Sequence, residues 1–287
     1  MVDMVSPIYG SIGESSSQEN AGHVSLVGAG PGDKDLITVR GERALAAADI
    51  ILYDSLIDAG LLEGRKATLV YVGKRCGQHS MSQEQITDLL IRCARSAGRV
   101  VRLKGGDPTV FGRVGEEAQA LARAKIPFEI VPGISSSIAV PALSGIPVTH
   151  RGVADSFTTV TAHKRKGDEA LGIPKYRENT TLVLLMPLST IERWQKQLLE
   201  FGYPRDLPLA FISNGCSARA KVLETTVGES CTALRESVIA SPCMVVVGQV
   251  VSLRAESLPW LRVEGSRGAE ESLAGELRVS FSAKEQI

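Results

Sequence analysis

One stretch of the sequence, residues 99–117, combines backbone freedom with charges that are spaced for a shared task. It reads RVVRLKGGDPTVFGRVGEE, an apolar strand pattern that breaks at Gly-Gly-Asp-Pro and is followed by a helix pattern. Because Gly105 and Gly106 carry no Cβ, the backbone there can approach a ligand closely. Arg113 and Glu116 are three residues apart and would share a helix face. Ligands of open α/β sheets bind beyond the carboxyl ends of the strands, so we interpret this stretch as a candidate binding site. The alternative is an ordinary connection between a strand and a helix, with solvated charges.

A second glycine-rich loop, GAGPGD at 28–33, follows an apolar strand pattern at 23–27. It invites comparison with the GxGxxG fingerprint of dinucleotide-binding proteins, but Asp33 stands where that fingerprint needs its third glycine. Pro31 removes an N–H that could bind pyrophosphate, and Asp33 adds a negative charge there. The loop therefore disfavours a dinucleotide and favours an uncharged adenosine or methionyl group.

The order of elements predicts the fold class. Strand and helix patterns alternate between residues 23 and 131, which indicates a mostly parallel, doubly wound sheet and an α/β fold. The pattern changes from about residue 137, and the alternating segment 156–162 is typical of an antiparallel or mixed sheet. We expect a disordered tail, an N-terminal α/β domain, a C-terminal α/β domain and a loose second tail, over residues 1–21, 22–136, 137–262 and 263–287.

Hydrophobic periodicity places the individual elements. Strands are predicted at 23–27, 50–53, 68–72, 100–103, 128–131, 156–162, 181–185, 208–213, 221–226 and 243–251. Helices are predicted at 36–48, from 82 onward, at 116–124, 137–144 and 190–201. Gln85 follows Ser82 by three residues, which indicates a capping box at the second helix.

Composition excludes several classes of function. The 287 residues carry zero formal net charge and only 5% aromatic side chains, which argues against nucleic acid, single-strand stacking and anionic membranes as partners. The five cysteines and four histidines form neither CxxC nor HxxxH pairs, so we expect free thiols and no metal. No apolar run has membrane-spanning length. The first 20 residues lack Lys and Arg, which argues against a targeting peptide and predicts a cytoplasmic protein.

The residues that follow the predicted strands suggest what the site binds. Mostly small or neutral groups stand there, including the loops at 28–33 and 105–107, Asp54, Ser135, Ser136, Met186, Asn214 and Gly215. Cations lie beside them, namely Lys74, Arg75, Arg113, His150, Arg151, Lys164 and Arg165. Each basic pair alone is more often a surface charge. Their shared position after the strands predicts a binding site for a small, mostly neutral ligand, with a polyanionic organic molecule bound beside it. Guanidinium groups suit the carboxylates of such a molecule.

Seven motifs, distributed along the chain, extend this interpretation. They are VGAGPGD (27–33), ADIILYD (48–54), VGKRCGQHS (72–80), VRLKGGDPTVFGR (101–113), VPGISS (131–136), SGIPVTHRG (144–152) and VVVGQVV (245–251). Together they resemble the uroporphyrinogen-III C-methyltransferases of the tetrapyrrole methylase class. The resemblance covers roughly residues 23–255. The two glycine-rich loops alone would imply only the wider class.

The resemblance implies two α/β domains of the class III methyltransferase type, with S-adenosylmethionine as methyl donor in the cleft between them. It implies methylation of uroporphyrinogen III at C2 and then C7, giving precorrin-2 for sirohaem, cobalamin or haem d1 synthesis. A homodimer that uses no metal is also implied.

The resemblance also assigns site residues. Donor-binding residues would be Pro31, Gly105, Gly106, Asp107, Val110, Ser135, Ser136, Met186, Ala210 and Gly215. Substrate-binding residues would be Lys74, Arg113, Arg151 and Met186. Proton transfer is attached either to Asp54 and Lys74 or to Arg113 and Glu116, and the residues do not decide between these pairs. The family more often has Thr-Ala at Ser135-Ser136 and Gly at Pro187, so we expect a differently shaped donor wall beside Pro187.

Three other interpretations stay open at this point. A methylase that acts on a later precorrin, or on the diphthine branch, would share most of these motifs. A nicotinamide-dependent dehydrogenase would share the alternating elements but not the fingerprint. A non-catalytic binding domain could use the same fold, because fold does not determine function. We also expect a single activity, with no added dehydrogenase–chelatase module.

Overall fold

The computed structural model describes residues 22–73, 81–163 and 171–257. Ten strands lie within these ranges: β1 His23–Gly28, β2 Ile50–Tyr53, β3 Thr68–Tyr71, β4 Arg99–Lys104, β5 Phe128–Val131, β6 Ser156–Thr161, β7 Thr180–Leu185, β8 Pro208–Ser213, β9 Lys221–Thr226 and β10 Cys243–Val247. The helices there are α1 Val39–Ala46, α2 Gln83–Ser96, α3 Val114–Arg123, α4 Ser136–Leu143, α5 Ile191–Glu200, α6 Ser230–Arg235 and α7 Arg254–Ser257.

The first sheet has the order β3-β2-β4-β1-β5, and its paired strands all run parallel. Side chains of β4 alternate between two apolar layers: Val100 packs with α2 and α3, whereas Val101 and Leu103 pack on the opposite side. Parallel sheets need both faces covered, and these layers cover them. The predicted doubly wound parallel sheet is therefore confirmed, as is the capping box between Ser82 and Gln85.

The second sheet has the order β6-β7-β10-β8-β9. Only β6 and β7 pair in parallel, and the other neighbours are antiparallel, so the predicted mixed sheet is confirmed. One face is built around Trp194 of α5 and Phe211 of β8, whose ring centroids are 6.1 Å apart. Burial of the indole requires a partner for its N–H, which donates to the carbonyl of Pro187 at 2.9 Å.

Three elements differ from the predictions. The strand predicted at 243–251 ends at Val247, because Gly248 has φ 144° and residues 249–253 form a 3₁₀ helix. The helix predicted at 36–48 is divided into a 3₁₀ turn and α1, whose N-cap is Thr38. Helix α6 was not predicted, since its six residues are too few for a clear period.

The predicted domain boundary at 136/137 falls at the start of α4 and stays a prediction. Both predicted tails, 1–21 and 263–287, lie outside the described residues. Among the described helices, none has the length and apolar character needed to traverse a lipid bilayer.

Replacing Phe211 tests the second core. Phe211 is 0% exposed, so Phe211→Ala should lower the free energy of unfolding by about 3–5 kcal/mol through lost contacts and a residual cavity. Circular dichroism during urea titration measures this change. Val238 is 74% exposed, and Val238→Ala should stay within about 0.5 kcal/mol of the unaltered protein. Equal effects of the two substitutions would contradict the assigned core.

Candidate functional site

The two glycine-rich loops join directly beyond the carboxyl ends of β1 and β4. Gly106 donates its N–H to the carbonyl of Gly30 at 2.7 Å, and Gly30 donates back to Gly106 at 3.3 Å. Ala29 donates to the carbonyl of Lys104 at 2.8 Å. The bond of Ala29 continues the parallel pairing of β1 with β4, whereas Gly30 and Gly106 form an isolated antiparallel bridge that joins the two loops.

A third loop, which follows β5, closes on the same point. A Cβ added to Gly133 would lie 2.3 Å from the carbonyl oxygen of Gly106, and one added to Gly28 would lie 2.6 Å from that oxygen. Real Cβ atoms do not approach that closely, so the three loops can pack this way only with glycine at these positions. The Asp107 carboxylate accepts from the N–H of Gly133 at 3.0 Å and ties the second loop to the third.

The second half of the chain also reaches this point. The loop after β8 places Cβ of Cys216 3.6 Å from where a Cβ of Gly32 would lie. Burial raises the pKa of the Cys216 thiol to about 11, and the nearby Asp33 adds to that effect. Gly215 packs against Val140 of α4, since a Cβ there would lie 2.3 Å from Val140 Cγ1. The first loop is therefore flanked by residues of the C-terminal half.

Most predicted donor-binding residues lie in these loops. Asp107 accepts from the N–H of Thr109 and its carbonyl accepts from the N–H of Val110, so Val110 belongs to the same turn. Ser135 caps α4 by accepting from the N–H of Ser137 at 3.3 Å. The structure brings together Pro31, Gly105, Gly106, Asp107, Val110, Ser135, Ser136 and Gly215.

Two predicted donor-binding residues are placed differently. Met186 follows β7 with φ 56° and is 47% exposed, and no described contact joins it to the glycine loops. Ala210 is 0% exposed within β8, where it packs in the core beside Val140. Their contacts with a donor stay predictions.

Arg113 and Glu116 form the ion pair that their spacing predicts. Arg113 Nε and Nη2 donate to the two carboxylate oxygens of Glu116 at 2.8 and 2.6 Å. Arg113 is the N-cap of α3 and has a left-handed backbone, φ 58°, which turns its side chain back along the first helical turn. The hydrogen bonds to Glu116 raise the pKa of Arg113. The two side chains are 45% and 49% exposed, so they are open to a ligand.

Asp54, at the end of β2, lies on the same side of the sheet. One carboxylate oxygen accepts from the N–H of Leu56 at 3.1 Å, and the other lies 3.8 Å from Arg102 Nη2. Leu56 also stands 3.2 Å from the position of a Cβ on Gly105, so this loop borders the glycine loops. Arg151 is exposed in the turn after His150. Lys74, Arg75, Lys164 and Arg165 lie outside the described residues.

A buried charge cluster beneath Asp54 escaped the sequence interpretation. Its members are Arg102 and Lys104 of β4 and Glu117 of α3, which are 4%, 5% and 0% exposed. Lys104 Nζ lies 3.1 Å from one Glu117 oxygen, and Arg102 Nε donates to the other at 3.2 Å. Gln83 of α2 adds a third donor at 3.0 Å. The sequence does contain a sign of this cluster, because two cations stand at alternate positions of a parallel strand. Buried parallel strands are normally apolar throughout, so these cations indicate buried ionic partners.

Burial lowers the pKa of Lys104, and the adjacent Arg102 lowers it further by charge repulsion. Glu117 opposes both effects through its charge and hydrogen bond, and Asp54 does so through its charge. The ionised cluster thus depends on its carboxylates. Among the residues described, no group of three or more His, Cys, Asp or Glu is arranged to hold a metal ion.

Comparison with known proteins now adds to this geometry. Residues 23–231 match the model of the Tetrapyrrole (Corrin/Porphyrin) Methylases. The chain belongs to this family. It is 44% identical over 236 residues to a uroporphyrinogen-III C-methyltransferase of Methanocaldococcus jannaschii, covering 81% of this chain and 98% of that protein. It is also 44% identical to a siroheme synthase of Acinetobacter baylyi, over 84% of this chain and 53% of the relative, so it spans about half the length of that protein.

Solved structures agree with this membership. A uroporphyrin-III-C-methyltransferase from Thermus thermophilus superposes with TM-score 0.70 at 40% identity, over 85% of this chain and 99% of that one. A second structure of the Thermus enzyme, complexed with S-adenyl homocysteine, gives 0.67 at 37% identity over 80% and 93%. The fold is therefore the α/β fold of the tetrapyrrole methylases, and membership in a methylase family replaces the dehydrogenase interpretation.

The glycine contact can be tested by adding one methyl group. Gly133→Ala should lower the free energy of unfolding by about 1–3 kcal/mol, because its Cβ would meet the Gly106 carbonyl and the loops would have to separate. Chemical denaturation measures the change. A Cβ on Gly172 would meet nothing within 4 Å, so Gly172→Ala should be neutral or stabilising by less than about 1 kcal/mol. A neutral Gly133→Ala would refute the close packing.

Proposed function

We propose that this chain transfers methyl groups from S-adenosylmethionine to C2 and then C7 of uroporphyrinogen III, giving precorrin-2. The observation that carries the proposal is the 44% identity to a uroporphyrinogen-III C-methyltransferase over 98% of that protein's length. The product would serve sirohaem, cobalamin or haem d1 synthesis. A homodimer and a cytoplasmic location belong to the proposal, and light scattering of the purified chain tests the dimer.

The joined glycine loops support S-adenosylmethionine as the donor. Their surface is backbone with few side chains, and the Asp107 carboxylate is already engaged by Gly133 and Thr109. Such a surface suits the nearly neutral adenosine and the sulfonium of the donor better than it suits a pyrophosphate, because a pyrophosphate needs several free N–H groups. The Thermus relative complexed with S-adenyl homocysteine supports the same choice. We propose donor contacts from Pro31, Gly105, Gly106, Asp107, Val110, Ser135, Ser136, Met186, Ala210 and Gly215.

Methyl transfer here needs positioning more than a protein nucleophile. An electron-rich, enamine-like ring carbon attacks the methyl group; a C–C bond forms while the S–CH₃ bond breaks and its electron pair goes to sulfur. Holding the ring carbon in line with that bond can supply up to about 7–11 kcal/mol. The methylated ring is then an iminium-like cation and must lose a proton.

We propose Asp54 as the acceptor of that proton. Both oxygens of Glu116 are bound by Arg113, whereas within the described part of the chain one oxygen of Asp54 has only the ion pair with Arg102 at 3.8 Å, and its side chain is 27% exposed. A base must offer a lone pair to the proton that it removes. Glu116 would instead hold Arg113 in place to bind a substrate carboxylate, with Arg151 and Lys74 binding others.

The activity itself is tested with the full chain, radiolabelled S-adenosylmethionine and uroporphyrinogen III. We expect two methyl groups per tetrapyrrole and a red-fluorescent oxidised product. Binding of S-adenosylhomocysteine without any turnover would indicate a non-catalytic domain. Turnover only with an already methylated precorrin would indicate a later enzyme of the pathway. Either result contradicts the proposal.

Substitutions in the exposed ion pair test substrate binding. Arg113→Ala and Glu116→Ala should each lower kcat/KM for uroporphyrinogen III by roughly 10- to 100-fold, since a charged hydrogen bond contributes about 1.5–3 kcal/mol. Calorimetry should show unchanged binding of S-adenosylhomocysteine. Lys196→Ala breaks the exposed Lys196–Glu200 pair of α5 and should leave kcat/KM unaltered. Unchanged kinetics in both site variants would remove the pair from the mechanism.

A further inference from the structure

The buried cluster of Arg102, Lys104 and Glu117 connects to the site through one guanidinium group. Arg102 Nε donates to Glu117 at 3.2 Å, and Nη1 donates to the carbonyl of Leu103 at 2.9 Å. These two bonds fix the plane of the guanidinium, because its donors form a rigid fork. The remaining Nη2 consequently points at Asp54, 3.8 Å away.

Stability alone does not account for this arrangement. Removing ions from water costs several kcal/mol each, and apolar replacements for buried ion pairs are often neutral or stabilising. The position would suit apolar residues, since the layer around it contains Val100, Leu52 and Leu90. The cluster is also unbalanced by itself, with two cations on Glu117. Asp54, at the edge of the cluster and partly exposed, supplies the second negative charge.

We propose that Arg102 and Glu117 are positioning residues for the methyl transfer reaction: Glu117 orients Arg102, and Arg102 orients the Asp54 carboxylate that accepts the proton from the methylated ring. This inference rests on the proposed function. It links elements that are far apart in sequence, because Asp54 follows β2, Arg102 belongs to β4 and Glu117 belongs to α3.

Among the described residues, the groups placed against Asp54 favour this role. From β4 it faces Arg102, the charge of Lys104 also acts on it, and from its own loop it receives the N–H of Leu56. Glu117 of α3 binds both Arg102 and Lys104, and Gln83 of α2 binds Glu117.

The charge balance also favours turnover. Before proton transfer, two cations are matched by Glu117 and Asp54. The proton then moves from the ring carbon to an Asp54 oxygen, and the C–H electron pair neutralises the iminium. The cluster is left with one excess positive charge, and release of the proton to water restores the charge match before the second methyl transfer.

A double-mutant cycle on kcat tests the proposal. Arg102→Met should lower kcat by about 100-fold, because misplacing a reacting group by an ångström costs that much. Asp54→Asn should lower kcat as well. In the Asp54→Asn background, Arg102→Met should change kcat by no more than about twofold, because Arg102 acts through Asp54. The Kd for S-adenosylhomocysteine should be unchanged throughout.

A structural role would give a different result. If Arg102 merely supported the fold, Arg102→Met would lower kcat equally in both backgrounds, and that outcome overturns the inference. If Arg102→Met does not fold, Arg102→Lys preserves the buried charge while removing the fork that reaches Asp54. Arg102→Lys should lower kcat by at least about tenfold, and its effect should disappear in the Asp54→Asn background. An Arg102→Lys protein with wild-type kcat overturns the proposal.

A matched control is present in the loop that precedes β3. Arg65 makes a bidentate pair with Glu42 at 2.7 Å and is largely buried, but it lies beside α1. Arg65→Met should leave kcat unchanged even if stability falls. The wild-type assay separates the two claims: no methylation of uroporphyrinogen III rejects the proposed function, whereas normal methylation with an additive cycle rejects only the positioning role.

Discussion

Direct backbone contact among three loops at the carboxyl end of the first sheet is the constraint on which the site depends. The carbonyl of Gly106 lies so close to Gly28 and Gly133 that a methyl group on either would overlap it. The hydrogen bonds between Gly30 and Gly106 and the carboxylate of Asp107 hold the loops in that contact. The surface that results consists mostly of backbone, with few side chains.

Charge enters the site from the opposite side of the sheet. Side chains of β4 at 102 and 104 point toward α2 and α3, and their charge is compensated by Glu117 underneath and Asp54 above. The glycine loops and the charged cluster therefore occupy different places, the first beyond the end of β4 and the second on the face of β4 that α2 and α3 cover. A positively charged donor and a polycarboxylate substrate need such a separation, because each would otherwise compete for the other's partners.

Relatives place this geometry in a family without deciding the role of each residue. Two Thermus structures share the fold at 40% and 37% identity, and a cobalt precorrin-4 methyltransferase shares it at 26% with TM-score 0.68. The same fold thus occurs in enzymes that are named for different substrates. The substrate must be read from the side chains around the glycine loops, since the fold alone does not determine it.

Local sequence determined the parallel sheet, the two glycine-rich loops and the Arg113–Glu116 pair, because period, missing Cβ atoms and helical spacing act over a few residues. Only tertiary structure decided that the loops after β1, β4 and β5 touch, since their contacts join Gly30 to Gly106 and Asp107 to Gly133, which lie in separate elements of the chain. It likewise decided that Arg102 and Glu117 are buried together. A strand's charges look solvated until a helix from elsewhere in the chain covers them, and burial is a property of the packed layers.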